Sequence, residues 1–235
     1  MISAQLKKML PKSAKNFIRT ALVYGDMSRY GRLFKKYSYF TMIPKGVYKE
    51  NLRLAHTVSV AGDVVECGSW RGGMVAGIAE LLGGKNRKYY LFDSFEGLPL
   101  AKAIDGDTAI AWQQDTTSDI YFDNCTADIA DAKRAMEYAG VPYECIKGWF
   151  DDTVPHNTIG PIALLRLDGD WYDSTMVCLK HLYPKVVTGG LIIIDDYAAW
   201  DGCSRAVHDY LSSIQSKSRI GRGSKSGVAY IVKHD

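Results

Sequence analysis

The chain has 235 residues, 47% of them hydrophobic, and a net charge of +3, enough to bury one sizeable core and to argue for one domain. No run approaches the roughly 20 apolar residues of a membrane-spanning helix, and the start, MISAQLKKMLPKSAKNF, is broken by Lys7, Lys8 and Pro11 where a secretory signal is apolar. The five cysteines are odd in number and lack Cys-x-x-Cys spacing, which argues against a disulfide scaffold or a zinc site and predicts reduced thiols in a cytoplasmic protein.

Residues 1–53 carry twelve Lys/Arg against Asp26 and Glu50, while the remainder is acidic. A basic arm suits weak contact with an anionic surface such as a membrane; the alternative is that these are solvated helix faces. No basic run is interleaved with stacking aromatics, so a nucleic-acid partner is not expected. Residues 1–60 read as helical, with breaks at Pro11, Gly31 and Pro44-Lys-Gly46, and with Leu6, Leu10, Phe17, Leu22, Leu33, Phe34 and Tyr37 at roughly helical intervals.

From residue 62 strands alternate with helices. DVVEC (63–67) predicts a strand and 72–82 a helix; KYYLFD (88–93) is the second strand. A long polar loop, 94–125, leads to a helix at 127–140, then YECIKG (143–148) and IALLRLD (162–168), the latter apolar enough to be buried on both faces. A helix at 172–182, the strand LIIIDD (191–196), a helix at 200–215 and GVAYIV (227–232) complete the pattern. This order predicts an α/β fold with a mainly parallel sheet, helices on both faces and ligands beyond the carboxyl ends of the strands. The chemistry-bearing residues fall at those ends: Glu66, Asp93, Gly148, Asp168 and Asp195-Asp196.

Glu66-Cys-Gly-Ser-Trp-Arg-Gly-Gly73 follows the first strand and opens a helix. Glycine lets such a loop turn sharply and approach a ligand, but Gly68-x-x-x-Gly72-Gly73 departs from the dinucleotide fingerprint. It resembles the first motif of Rossmann-like methyltransferases; an ordinary Gly-rich turn is the alternative. Asp93, about twenty residues further on, stands where an acid accepts ribose hydroxyls, or where it caps a turn before Ser94. Asp168, Asp195 and Asp196 end strands expected to be neighbours. Two or three carboxylates suffice for a hard divalent cation such as Mg²⁺; the alternatives are pairing with Arg166 or Lys185, or exposure in loops.

VECGSWRGG, FDSFEGLP, KGWFDDTVP, LLRLDGDWYDSTMVCLKHLYPKVVTGGLIIIDDY and CSRAVHDY, in that order over about 62–210, resemble the macrocin and mycinamicin sugar O-methyltransferases, the TylF/MycF family. The resemblance implies a class I, Rossmann-like, seven-stranded methyltransferase fold with an N-terminal helical extension. It also implies S-adenosylmethionine as donor, Mg²⁺ dependence, and a small-molecule or glycan acceptor whose sugar hydroxyl is methylated, in natural product biosynthesis. Carried over, Glu66, Gly68, Ser69, Gly72 and Gly73 line the methionine end, Asp93 and Ser94 meet ribose and adenine, and Gly148-Trp149 the adenine edge. Asp168, Asp195 and Asp196 bind metal. Residues 1–60 become a lid or oligomer contact and 61–235 the methyltransferase domain of a homo-oligomer.

The acid spacing also resembles catechol O-methyltransferase, but Trp171 stands where that family has its lysine base. The general base is therefore sought in Asp168 or Asp170. Met74-Val75 departs from the small hydroxyl residues expected after the glycine pair. Tyr37, Tyr39, Phe40 and Trp112 are candidates to stack on a sugar. Two other functions fit some residues: a nucleotide-sugar glycosyltransferase using Asp168-Gly-Asp170 as its Asp-x-Asp, and a catalytically silent cofactor-binding module.

Overall fold

The computed structural model describes residues 28–224 and 226–234. The helical reading of residues 1–27, with five of the twelve Lys/Arg of the basic arm, lies outside them. Residues 28–37 are helical and lead through a 3₁₀ turn, Ser38–Phe40, to α1 (Lys45–Ala55). The alternating unit follows: β1 (Asp63–Cys67), α2 (Gly73–Leu82), β2 (Tyr89–Asp93), α3 (Asp107–Gln114), α4 (Ile129–Ala139), β3 (Tyr143–Lys147), the single turn α5 (Phe150–Thr153), β4 (Ile162–Leu167), α6 (Tyr172–Leu182), β5 (Val186–Ile194), α7 (Asp201–Ser213), β6 (Ile220–Arg222) and β7 (Ala229–Val232).

Among the described residues, seven strands form one sheet in the order β3-β2-β1-β4-β5-β7-β6. The first five run parallel; β7 is antiparallel to both β5 and β6. The chain reverses direction of travel across the sheet between β1 and β4, the switch point where such folds bind ligands. β4 is buried at all six positions, as expected of a strand covered on both faces. One face packs Leu33, Tyr48, Leu52, Ile78 and Met136 from residues 28–37, α1, α2 and α4. The other packs Leu179, Leu182, Val207 and Tyr210 from α6 and α7.

Local signals place several boundaries. Asp128 caps α4, its side chain accepting from the Ala130 amide, and Gly140 ends it in the left-handed conformation. Four expectations are corrected. β5 begins at Val186, five residues before the apolar run, because Val186 pairs with Ile162 on β4. β6 is a strand that its three residues, Ile-Gly-Arg, did not announce. Within 94–125 lies α3, and after β3 comes α5.

Candidate active site

The carboxyl ends of β1, β2, β4 and β5 open into a cavity of about 680 Å³. Glu66, Gly68, Ser69, Asp93, Ser94, Trp149, Asp168, Asp170, Asp195 and Asp196 all line it. Gly72, Gly73 and Gly148 do not; a Cβ on Gly72 would meet Ala132 of α4 and one on Gly148 the Thr153 methyl of α5. Gly68 has φ +86, and a Cβ there would stand 1.7 Å from the Asp168 carbonyl oxygen. Its missing side chain lets the loop after β1 lie directly on the end of β4. A Cβ on Gly73 would meet the Phe40 carbonyl oxygen at 2.4 Å, so Gly73 seats α2 on the Ser38–Phe40 turn.

Asp93 holds that loop in shape. Its two carboxylate oxygens accept from the Trp70 and Phe95 amides, both at 2.7 Å. Burial pushes its pKa up, opposed by these amides.

The centre of the site is Arg166, the charged residue inside β4, 1% exposed. Nη1 donates to Glu66 Oε1 and to Asp168 Oδ2, each at 2.8 Å. Nη2 faces Asp195 Oδ1 at 2.8 Å as an ion pair, and Nε donates to Asn51 Oδ1 at 3.1 Å. Asn51 on α1 in turn donates from Nδ2 to Asp195 Oδ1 at 3.1 Å. Burial works to lower the Arg166 pKa, but Asp168, Asp195 and Glu66 outweigh it and raise it. Burial pushes Glu66 up to about 8 against the Arg166 charge, with Asp168 adding to the rise. Its Oε2 is buried without a hydrogen-bond partner.

Asp168, Asp195 and Asp196 each present a carboxylate oxygen within 4.8 Å of the others. Pairing with Arg166, one of the alternatives, holds for Asp168 and Asp195; Lys185 instead donates to Asn157 and to the Ile159 carbonyl. Pairing does not disperse the acids. Arg166 grips Asp168 Oδ2 and Asp195 Oδ1, and the Asp170 amide donates to Asp196 Oδ2 at 3.1 Å. Burial, followed by the charges of Asp170, Asp168 and Asp195, drives Asp196 well above its usual range. Asp168 is pushed up to about 6, by burial against Arg166 and with Asp195 adding. Such an all-oxygen set, short of positive charge, fits a hard divalent cation.

Asp170 sits two residues on, with φ +56. Its Oδ1 accepts from the Trp200 indole at 2.7 Å, and among the described residues it has no guanidinium contact. Burial and then the Asp168 charge push it up to about 8, opposed by the Trp200 bond. Trp200 belongs to an aromatic cluster with Trp171 and Trp112, ring centroids 5.2–6.2 Å apart. Of the four aromatic candidates for sugar stacking, Phe40 alone lines the cavity. Tyr37 is fully buried and donates to Glu80; Tyr39 lies under Arg71 and Arg134; Trp112 stays within its cluster.

Sequence reasoning missed Asn51 and Trp200. Asn51 is a fully buried polar residue between Tyr48 and Leu52 on α1; a polar side chain in that apolar company was the available signal.

A family model described as macrocin O-methyltransferase, TylF, matches residues 39–230. The chain belongs to the macrocin O-methyltransferase family. Curated relatives include 8-demethyl-8-(2,3-dimethoxy-alpha-L-rhamnosyl)-tetracenomycin-C 4'-O-methyltransferase of Streptomyces olivaceus, 36% identical over 64% of this chain, and demethyldecarbamoylnovobiocin O-methyltransferase of Streptomyces niveus, 32% over 72%. Mycinamicin III 3''-O-methyltransferase of Micromonospora griseorubida is 36% identical over 64%. The matches span 58%, 66% and 61% of these relatives' own lengths. Among solved structures, the O-methyltransferase NovP aligns with a TM-score of 0.70 at 28% identity, covering 83% of each chain. CalS11, a calicheamicin methyltransferase, aligns at 0.64 and 20%, covering 88% of this chain and 92% of its own; that likeness concerns the fold. Family membership replaces the glycosyltransferase alternative. No helix among the described residues is long and apolar enough to cross a membrane.

Proposed function

We propose that the protein transfers a methyl group from S-adenosylmethionine to a hydroxyl oxygen, with divalent-metal assistance, on a sugar of a small-molecule glycoside. The observation that carries this reading is the convergence of Asp168, Asp195 and Asp196 in the same cavity as Asp93 and the Gly68 loop. The named activities of the relatives supply the acceptor class.

Asp93 would hold the ribose hydroxyls, Gly68 and Ser69 the methionine end, and the free Oε2 of Glu66 would accept from the amino group there. Ser94 and Trp149 would border the adenine. Asp168, Asp195 and Asp196 would hold a cation such as Mg²⁺, which supplies positive charge that acidifies an acceptor hydroxyl. The proton then leaves for a carboxylate. Asp168 is tied to Arg166 and committed as a ligand, both of which weaken it as a base. Asp170 has one oxygen on the Trp200 indole and, among the described residues, no cationic partner, so Asp170 takes the proton. Phe40–Pro44 and Leu98–Leu100 line the remaining cavity and would border the acceptor; through Phe40–Pro44 the N-terminal segment would act on acceptor choice.

Asp168→Asn and Asp170→Asn separate these roles. Asp170→Asn is expected to keep S-adenosylhomocysteine and Mn²⁺ binding by calorimetry and to lose about 10²- to 10⁴-fold in turnover, the usual worth of a general base. Asp168→Asn is expected to lose Mn²⁺ binding. Full activity after thorough chelation would sink the metal role. A parent protein that fails to bind S-adenosylhomocysteine would sink the whole reading.

A further inference from the structure

Asn51 lies outside the alternating β/α unit, on α1, yet its amide touches two members of the acid site. Its orientation is fixed. Nδ2 donates to Asp195 Oδ1 and to the Val47 carbonyl, both at 3.1 Å, while Oδ1 receives Arg166 Nε at 3.1 Å. Turned over, the amide would set oxygen against a carboxylate and a carbonyl, and nitrogen against a guanidinium. Only a carboxamide pairs these opposed groups, and Gln would carry it one methylene too far. Asp would repel Asp195, and an apolar residue would leave buried polar atoms unmet.

We propose that Asn51 is a positioning residue of the metal centre: with Arg166 it fixes the Asp195 and Asp168 carboxylates in ligand geometry before a cation arrives. Arg166 is the beam of this brace, reaching Asp168 through Nη1 and Asp195 through Nη2. Alone, a guanidinium can rock about its stem; the Asn51 bond to Nε removes that freedom. The Asn51 bond to Asp195 Oδ1 fixes the same carboxylate from the opposite element. The N-terminal segment thereby completes the catalytic domain's metal site. The inference rests on the metal reading above. Partners behind metal ligands typically contribute about 10- to 100-fold in metal affinity.

The test is Mn²⁺ titration followed by calorimetry and by electron paramagnetic resonance, on the parent, Asn51→Ala, Asn51→Ser, Arg166→Lys and the Asn51→Ala/Arg166→Lys double variant. Asn51→Ala changes no charge, so a change in affinity reports geometry. It is expected to weaken Mn²⁺ by about 10- to 100-fold and to broaden the bound-Mn²⁺ spectrum, while S-adenosylhomocysteine affinity moves less than about threefold. Asn51→Ser serves if the alanine variant does not fold. The double variant is expected to lose far less than the product of the single losses, because both act through one network. Unchanged Mn²⁺ affinity and spectrum in a folded Asn51 variant overturn the proposal, as do fully multiplicative losses. A parent that binds no Mn²⁺ overturns the metal reading itself, and the brace with it.

Discussion

Replacing Arg166 with Met removes the site's buried guanidinium while keeping an unbranched stem of similar length. Arg166 and Glu66 are each 1% exposed, and the guanidinium meets Glu66, Asp168 and Asp195 at 2.8 Å apiece. Its loss leaves an acid cluster uncompensated in a poorly solvated place. Breaking a buried pair by removing one partner costs about 3–5 kcal/mol. Unfolding entropy of roughly 2.1 cal/mol/K per residue over 235 residues gives about 0.5 kcal/mol per degree. The expected fall in Tm is therefore about 6–10 °C, read by differential scanning calorimetry in EDTA at neutral pH. Adding Glu66→Gln removes the most buried of the carboxyls left without their guanidinium partner and should recover part of the loss, since replacing both partners of a buried pair is often close to neutral. Saturating Mn²⁺ should recover a further part by supplying charge to Asp168 and Asp195. A Tm within about 2 °C of the parent, or a double variant less stable than Arg166→Met, would refute this account of what holds the site.

Two further outcomes follow from the geometry. Asp93→Ala removes both oxygens that fix the Trp70 and Phe95 amides and is expected to weaken S-adenosylhomocysteine by at least about tenfold, two charge-assisted hydrogen bonds being at stake; unchanged affinity with the fold intact, measured by calorimetry, would count against the ribose assignment. The cysteines should resist alkylation in the folded protein at mildly alkaline pH. Burial pushes Cys125 upward and Cys145 up to about 11, so the thiolate fraction, and with it the labelling rate, should be at least about tenfold below that of a free thiol. Rapid stoichiometric labelling before denaturant is added would contradict the described packing.

Much of the scaffold was legible because its signals are local. Runs such as LLRLD and LIIID announce doubly covered strands, and an acid or glycine at each strand end announces the ligand side of the sheet. Asp128 and Gly140 bracket a helix by their own backbone preferences. β6 escaped because three residues carry too little pattern; the antiparallel partner β7 makes them a strand. The first half of β5 escaped because Thr188-Gly189-Gly190 imitate a turn, while the Gly189 amide bonds the Lys233 carbonyl and Lys233 returns a bond to Gly190.

By itself, then, the sequence determined that Asp168, Asp195 and Asp196 lie at the ends of strands, and, through its ordered motifs, to which family they belong. Only the tertiary structure decided what those acids touch. That Arg166 inside a buried strand binds Glu66, Asp168 and Asp195 at once, that Trp200 holds Asp170, and that Asn51 reaches across from α1 to Asp195 depends on side chains distant in the chain. Periodicity reports which face a residue occupies, a property of its near neighbours. The partner of a buried charge is chosen by the sheet order and by the packing of α1 against one face of the sheet, neither of which any local pattern encodes.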